Sequence, residues 1–214
     1  MIPNEDEYYM SLALKQAERA LEDEEIPVGA VVVCQGKIVA KAYNQTEILT
    51  DVTAHAEMIA ITSAAQTIGA KYLKDCTLYV TLEPCLMCAG AIYWSQLGRL
   101  VYGASEEKRG FEQLGKGILH PKTEIVSGVL ANESEKLLRE FINFLALQRG
   151  RLFDDAHPFF DAELERGLRL HAILSPLVEG GIHIPIRSNQ IRASASINWL
   201  DSDVRKYLFK IDRA

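Results

Sequence analysis

The sequence contains two short runs that carry metal-binding and proton-transfer groups: Thr53-Ala54-His55-Ala56-Glu57 and Thr81-Leu82-Glu83-Pro84-Cys85-Leu86-Met87-Cys88. A catalytic zinc site keeps three protein ligands and leaves the fourth tetrahedral position to water. We interpret His55, Cys85 and Cys88 as the ligands of one zinc ion per subunit. If a helix begins at His55, Glu57 lies within reach of that water without ligating the metal. We therefore predict that Glu57 is the catalytic proton carrier.

A Cys-x-x-Cys pair alone is not specific to catalytic zinc, because it also occurs in redox motifs and structural zinc sites. A redox pair does not account for His55 and Glu57, which precede it in the sequence. A structural-zinc interaction module is the non-enzymatic alternative; it requires a fourth ligand and tolerates the loss of Glu57. Neither run supplies a further Cys or His. Thiolate and imidazole ligands together favour zinc over other metals.

Hydrophobic periodicity predicts alternating helices and strands around the two runs. Strands are expected over 26–34, 37–43, 77–82, 99–102 and 124–129, and helices over 6–21, 55–68 and 85–94. A last helix is expected to be capped by Asn132, with Glu135 as its capping-box partner. Both runs thus open helices, whose N-termini carry a partial positive charge that favours thiolate over thiol.

The composition is that of a soluble globular protein, with 214 residues, 48% hydrophobic and 24% charged. No apolar stretch approaches the about eighteen residues of a membrane span. The acidic start lacks the order of regions found in a signal peptide, so we expect a cytoplasmic protein without membrane contact. Cys34 and Cys76 lie in apolar, strand-like stretches and are expected to be buried free thiols rather than a disulfide.

The net charge of −6 argues weakly against a nucleic-acid partner, which usually leaves a basic footprint. Much of the acidity lies in two clusters, Glu5-Asp6-Glu7 and Glu22-Asp23-Glu24-Glu25. The charge balance therefore leaves room for a local basic patch elsewhere.

The character of the chain changes after Gln148. We expect a zinc-dependent deaminase domain over 1–148 and a C-terminal extension over 149–214, either a small subdomain or a partly ordered tail. Its patterns predict a helix over 161–174, a short strand over 182–186 and a last helix over 201–209. His157, His171 and His183 are too widely spaced to favour a second metal site.

Residues 5 to about 145 closely resemble the bacterial tRNA-specific adenosine deaminases, within the cytidine-deaminase-like superfamily. The zinc motif alone defines only the superfamily. The narrower resemblance rests on further segments: Ile26-Pro27-Val28-Gly29-Ala30, Asn44, Thr81 to Gly90, Gly98-Arg99, Val101 to Ala104 and Ser127-Gly128-Val129-Leu130. It implies an α/β fold, a three-layer α/β/α sandwich around a five-stranded mixed sheet. It also implies a homodimer whose tRNA sites draw on both subunits.

The resemblance implies the site residues by position. It assigns zinc to His55, Cys85 and Cys88 and proton transfer to Glu57. Asn44 matches an asparagine that contacts base and ribose, and Val28 matches a wall of the adenine pocket. Glu106 matches an acidic residue beside the anticodon nucleotides, and Lys108 a lysine at a phosphate. Ala56 is the fifth substrate-binding position.

The implied activity is that of a hydrolase acting on C–N bonds of cyclic amidines, in tRNA processing. Zinc lowers the pKa of its water toward about 7, and Glu57 takes the proton. The resulting hydroxide attacks C6 of an adenine flipped out of the tRNA anticodon loop. Ammonia then leaves, and the wobble position carries inosine.

Family members commonly end their last helix with paired aromatic residues and a basic tail. Here that helix is followed by only Arg149 and Arg151 before the extension. A small-molecule deaminase that acts on guanine, cytosine or a nucleoside is the alternative enzyme, because it would share the zinc motif.

Overall fold

The computed structural model describes residues 4–106, 109–115, 117–154, 157, 159–163, 168–174, 182–183 and 186–188. The helices are α1 (Glu5–Glu22), α2 (Ala56–Ile68), α3 (Leu86–Trp94) and α4 (Ala131–Gln148), with a short 3-10 helix at Phe111–Leu114. The strands of the first sheet are β1 (Gly29–Cys34), β2 (Lys37–Tyr43), β3 (Cys76–Leu82), β4 (Arg99–Ala104) and β5 (Glu124–Val126). Those that follow α4 are β6 (Phe159–Glu163), β7 (Leu168–Leu174), β8 (Ile182–His183) and β9 (Ile186–Ser188).

The first five strands form one mixed sheet in the order β2-β1-β3-β4-β5. β1 pairs antiparallel with both β2 and β3, while β3, β4 and β5 run parallel to one another. The two parallel connections pass through α3 and through the segment that follows β4, as crossover connections must. The predicted five-stranded mixed sheet is confirmed.

Helices cover both faces of this sheet, because its strands alternate buried side chains between two cores. One core joins α2 and α3 to the face that presents Ala30, Val32, Leu78 and Val80. The other joins α1 to the face that presents Val31, Val33, Tyr79 and Val101. α4 contacts both α1 and β4, so it lies in the same layer as α1. The three-layer α/β/α sandwich is confirmed.

Two contacts fix α1 against the sheet. A side chain at Gly29 would collide with the backbone carbonyl of Ala13, so only glycine permits this approach. At the other end of the helix, Arg99 donates to Asp6 Oδ1 at 2.6 Å and to Oδ2 at 2.9 Å, and the Tyr79 hydroxyl donates to Oδ1 at 2.9 Å. The Arg99 guanidinium lowers the pKa of Asp6 below its ordinary value.

The start of α4 differs from the prediction, whereas the two cysteines outside the motif agree with it. α4 begins at Ala131, so Asn132 lies inside the helix, and the predicted cap is wrong. The residue before the helix is Leu130, in the left-handed region at φ 52°, where the turn that contains Gly128 ends. Cys76 is buried, and Cys34 faces it across β1 and β3 as a half-buried residue; both are free thiols.

The chain after α4 forms a second sheet. β6 pairs antiparallel with β7, and β8 and β9 both pair with β7. The predicted helix over 161–174 is wrong, because residues 159–163 and 168–174 pair as strands, and residues 168–172 alternate apolar and polar with the period of a strand. Of the predicted strand over 182–186, residues 182–183 form β8 and residue 186 begins β9. The predicted helix over 201–209 lies outside the described residues. Among the described helices, none is long and apolar enough to cross a membrane.

Candidate metal centre and substrate loops

The sheet brings the ends of four strands to one edge. β3 and β4 are parallel and end there, whereas β1 begins there and β2 ends there, because both pairings of β1 are antiparallel. The Gly29 backbone N–H donates to Thr81 Oγ1 at 3.1 Å and joins two of these ends. Val28, Asn44, Cys85 and Glu106, which flank the strands, therefore share this edge although they are distant in sequence.

The three proposed zinc ligands lie at the starts of two helices. His55 is the residue before α2 and Cys85 the residue before α3, both with extended backbone, and Cys88 lies in the first turn of α3. The predicted helix starts are thus confirmed to within one residue. His55 Nδ1 lies 3.7 Å from Cys85 Sγ and 3.5 Å from Cys88 Sγ.

These distances fit zinc. With Zn–N and Zn–S bonds of usual length, a nitrogen and a sulfur on a tetrahedral ion lie about 3.6 Å apart. The ligand atoms of His55, Cys85 and Cys88 all lie within 4.8 Å of one another, so one ion can touch all three. Glu57 does not belong to this cluster of ligand atoms. The arrangement is a three-ligand site with an open fourth position.

The electrostatics of the cluster favour a thiolate at Cys85. Hydrogen bonds from Cys88 and His55 lower the pKa of Cys85 to about 4, against the opposing effect of burial. The same hydrogen bond raises the pKa of Cys88, and the contact with Cys85 raises the pKa of His55. A site that already holds a thiolate binds a soft cation readily, because the thiolate is the form that ligates a metal.

Glu57 is a buried carboxyl beside this cluster. It is the second residue of α2, and its side chain is 4% exposed. Burial raises the pKa of Glu57 above the ordinary value, although its backbone hydrogen bond and His55 oppose the shift. A raised pKa makes the carboxyl better able to keep a proton that it has taken up and to pass it on, as a general acid and base must.

The loop that follows β2 brings Asn44 next to the ligands. The Asn44 backbone N–H donates to the carbonyl of Val28 at 2.9 Å, and Gln45 N–H donates to the carbonyl of Ala54 at 3.0 Å. The loop therefore closes one residue before His55. Val28 is buried, and Ala56 is buried throughout with 0% exposure, so its predicted contact with a substrate remains a prediction.

Glu106 lies on the loop that follows β4, which is called the second loop below. Lys108 lies outside the described residues. The Glu106 backbone N–H donates to Glu83 Oε2 at 2.9 Å. The two predicted contacts with RNA on this loop remain predictions.

Two buried carboxylates that were not predicted from the sequence hold these loops. Glu25 is fully buried and accepts hydrogen bonds from the loop that follows β2. Glu83 is 5% exposed and accepts from the backbone N–H groups of Glu106 and Glu112, each at 2.9 Å. A side chain at Gly110 would collide with the Glu83 carboxylate, which shows how closely the second loop approaches it.

The sequence indicates only weakly that Glu25 and Glu83 are buried. Glu25 stands at the end of an acidic cluster, a few residues before β1, and Glu83 lies inside the second motif, directly after β3. Both strands are buried on both faces. An ionisable residue next to such a strand is either at its solvated end or buried with partners.

A cavity of about 270 Å³ opens beside the metal ligand Cys85. Its lining is mostly apolar, with one guanidinium, and consists of Cys85, Leu86, Met87, Arg109, Gly110 and Leu114. Apolar walls with few polar groups are typical of sites that bind a small molecule or a single base.

The chain is similar in sequence to known zinc-binding deaminases. The family of the cytidine and deoxycytidylate deaminase zinc-binding region matches residues 3–104. A tRNA-specific adenosine deaminase of Agrobacterium fabrum is 42% identical over 139 residues, which cover 63% of this chain and 91% of the relative. The enzyme of the same name from Bacillus subtilis is 42% identical over 146 residues, which cover 66% of this chain and 91% of the relative.

A solved structure from a study of A-to-I editing by tRNA:A34 deaminases at the wobble position superposes with a TM-score of 0.58. It is 41% identical and covers 61% of this chain and 99% of the solved chain. The match thus spans nearly the whole of that structure.

Proposed function

This chain belongs to the family of tRNA-specific adenosine deaminases, and from that membership we propose that it converts adenosine to inosine at the wobble position of a tRNA anticodon loop. The observation that carries the proposal is the cluster of His55, Cys85 and Cys88 with the buried carboxyl of Glu57 beside it. The enzyme is a zinc-dependent hydrolase with one zinc site per chain.

Zinc, when bound, acts as a Lewis acid that makes a water molecule nucleophilic at neutral pH. Glu57 accepts a proton from that water, and its raised pKa lets it hold the proton until it passes to N1 of the adenine. The water oxygen bonds to C6, and Glu57 takes the second proton from the resulting C6 hydroxyl and delivers it to the amino nitrogen. The C6–N6 bond then breaks as the C6 carbonyl forms. Inosine and ammonia are the products, so the step consumes one water molecule and no other reactant.

A single-stranded anticodon loop suits this buried site. An adenine in a loop is already unpaired, so moving it into the pocket avoids a few kcal/mol of extrusion cost. Val28, Asn44 and Ala56 are proposed to contact the adenosine itself. Glu106 and Lys108 are proposed to contact the neighbouring nucleotides, which would extend recognition along the strand.

Residues 1–148 are proposed to be the catalytic domain and 149–214 an extension of it. α1 to α4 and the five-stranded sheet are complete before Arg149. In the described part of the chain, β6 to β9 pair with one another and not with the first sheet.

The working form is proposed to be a homodimer in the cytoplasm, where mature tRNA is found. Large apolar side chains are exposed before α2 and at both ends of α3: Val52 is 83%, Trp94 78% and Leu86 55% exposed. Exposed apolar side chains of this size are common at surfaces that bind another protein. Molar mass from light scattering, compared with the 23.9 kDa of one chain, tests the dimer directly.

The test of function is deamination of a synthetic anticodon stem-loop that carries adenosine at the wobble position. We expect inosine from the wild-type enzyme. The rate of Glu57→Ala should be lower by about 10²–10⁴-fold, because general acid–base catalysis contributes that much. Glu133→Ala, at an exposed glutamate in the first turn of α4, is the matched control and should retain full activity.

Zinc content is measured in all three proteins, so that loss of metal is separated from loss of proton transfer. A zinc-loaded wild-type enzyme that leaves the stem-loop unchanged would contradict the proposed substrate. Guanine, cytosine and free nucleosides, tested in parallel, would then identify a small-molecule deaminase.

A further inference from the structure

Two of the four cysteines take no part in the metal cluster, and they face each other across the first sheet. Cys34 ends β1, Cys76 begins β3, and the antiparallel register of these strands pairs the two residues directly. Both side chains pack in the core on the α2 side of the sheet, so they lie on the same face. Because β3 ends at the metal edge and begins at Cys76, the pair lies at the opposite edge of the sheet.

The backbone holds both cysteines in place. Cys34 precedes the turn of Gln35 and Gly36, whose φ values of 50° and 73° are those of a tight two-residue hairpin. The Cys76 backbone N–H donates to the carbonyl of Leu73 at 3.1 Å, which fixes the start of β3. The sheet therefore sets the distance between the two cysteines before any bond joins them.

The geometry of the pair suits a disulfide. Directly paired residues of an antiparallel sheet have Cα atoms about 4.5–5.5 Å apart, and disulfides join Cα atoms about 4.4–6.8 Å apart. The two thiols already interact, because burial raises the pKa of Cys76 to about 12 and a hydrogen bond with Cys34 adds to the shift. The sulfurs can therefore bond by rotation of the side chains, without movement of the backbone.

The two thiols differ in their access to solvent. Cys34 is half-buried, and its thiol donates to the carbonyl of Asp75 at 3.5 Å, whereas Cys76 is 3% exposed. An oxidant in solution therefore reaches Cys34 first. Cysteines that respond to oxidants are accessible and often lie next to a second cysteine that resolves the first product. Cys76 is placed to be that second cysteine.

We propose that Cys34 and Cys76 form a redox site, which hydrogen peroxide converts to a disulfide that joins β1 to β3 and stabilises the fold around the metal cluster. The Cys34 sulfur attacks a peroxide oxygen and the O–O bond breaks, which leaves a sulfenic acid, while the released hydroxide takes the thiol proton and becomes water. The Cys76 sulfur then attacks the Cys34 sulfur, the S–O bond breaks, and the second hydroxide leaves as water with the Cys76 proton. The two sulfurs together give two electrons to one peroxide.

In a reducing compartment the pair rests as two thiols, which is its form in this structure. A disulfide that forms there is transient, because cellular dithiols reduce it again. The inference goes beyond the proposed function, since the pair touches neither the substrate loops nor the zinc ligands.

The disulfide encloses residues 34–76, the segment that carries His55 and Glu57. It ties this segment to β3, which leads directly into the second motif with Cys85 and Cys88. A crosslink that closes a loop of this length stabilises mainly by restricting the unfolded chain. We therefore expect the oxidised protein to unfold at a higher temperature and to keep its zinc.

The first arm of the test treats the zinc-loaded full chain with hydrogen peroxide at one equivalent. Remaining thiols are alkylated during denaturation, and a non-reduced digest is mapped by mass spectrometry. We expect a peptide pair linked through Cys34 and Cys76, lighter by two hydrogens than the two thiol peptides, with zinc still bound before denaturation. Dithiothreitol should restore both thiols. Cys34→Ser, treated in the same way, is the matched control and should form no disulfide.

Three results of this arm would overturn the proposal. The first is that Cys34 and Cys76 both remain thiols, and the second is that Cys34 proceeds to a sulfinic acid while Cys76 stays a thiol. The third is a disulfide between Cys85 and Cys88 with release of zinc, which would make the metal cluster the site that responds to peroxide.

The second arm measures thermal unfolding of oxidised and reduced wild type at one heating rate. We expect the Tm of the oxidised protein to be higher by about 5–10 °C, and the same treatment to leave the Tm of Cys34→Ser unchanged. A disulfide that forms without raising the Tm would refute its stabilising role. Cys76→Ser is the reciprocal variant; should its buried hydroxyl prevent folding, Cys34→Ser at the half-buried position still decides the question. Neither arm measures deamination, so failure of the proposed function would leave both results unaffected.

Discussion

The metal cluster and the two loops beside it are held by different means. The ligands His55, Cys85 and Cys88 occupy the starts of two helices whose packing belongs to the main core. The loop that carries Asn44 leaves Ile48, Leu49 and Val52 exposed, whereas the segment that carries Glu106 buries Phe111 and Leu119 in the main core. Each of the two is also attached to a buried carboxylate, Glu25 or Glu83. The groups proposed to perform the chemistry are thus positioned by helix starts, and the loops proposed to contact the substrate are held in addition by buried carboxylates.

The largest effect on activity is expected when a metal ligand is removed. We expect Cys88→Ala to lose zinc and at least about 10³-fold of its activity, because the site then has only two ligands and no Lewis acid. Metal content and deamination rate measured on the same sample test this. Cys76→Ala, at a buried free cysteine outside the cluster, is the control that should keep its zinc. A Cys88→Ala enzyme that remains zinc-loaded and active would exclude Cys88 as a ligand.

Loosening one loop should leave the metal in place and weaken the reaction moderately. Glu83→Gln replaces an acceptor oxygen with an amide that repels a backbone N–H of the loop after β4. We expect kcat/KM to fall about tenfold, the size of one lost hydrogen bond to a charged group, with zinc content unchanged. Glu124→Gln, at an exposed glutamate on β5, serves as the comparison. Zinc loss in Glu83→Gln would show that the loop and the metal cluster are not separable.

The smallest effect is expected far from both regions, at the ion pair of Asp6 and Arg99. Its side chains are 22% and 24% exposed, and removing the charge by Asp6→Asn should lower the free energy of unfolding by about 1 kcal/mol. Activity per folded molecule should not change. Denaturant titration compares the two proteins, and an altered kcat in Asp6→Asn would mean that α1 acts on the site.

The same pair predicts how stability depends on pH. The pKa of Asp6 is lowered in the folded state by its hydrogen bonds with Arg99. Its contribution is therefore fully present above the ordinary pKa of an aspartate and is lost as the pH falls through the lowered, folded-state value. The difference in unfolding free energy between wild type and Asp6→Asn should shrink with acidification, and a difference that grows in acid would contradict this assignment.

Predictions from the sequence were accurate where neighbouring residues decide the structure and failed where distant segments decide it. β2 was predicted to its end residues and α2 and α3 to within one residue at their starts, because apolar periodicity and the breaks at Gly69 and Pro84 are local signals. The same reasoning failed over 161–174, where a short mixed pattern suits either a helix or a strand. Pairing of β7 with β6, β8 and β9 decides that case, and pairing partners are not visible in a local window.

The identity and spacing of His55, Glu57, Cys85 and Cys88 were enough by themselves to specify the chemistry, because ligand type selects the metal and the helix starts set the geometry. The sequence did not distinguish Glu25 from the exposed acids that precede it. Whether a carboxylate is solvated or buried depends on how many donors other segments bring to it, and for Glu25 those donors come from residues 44–48. Only the tertiary structure decides that, because burial of a charge is stable only when the folded chain supplies the hydrogen bonds that water no longer can.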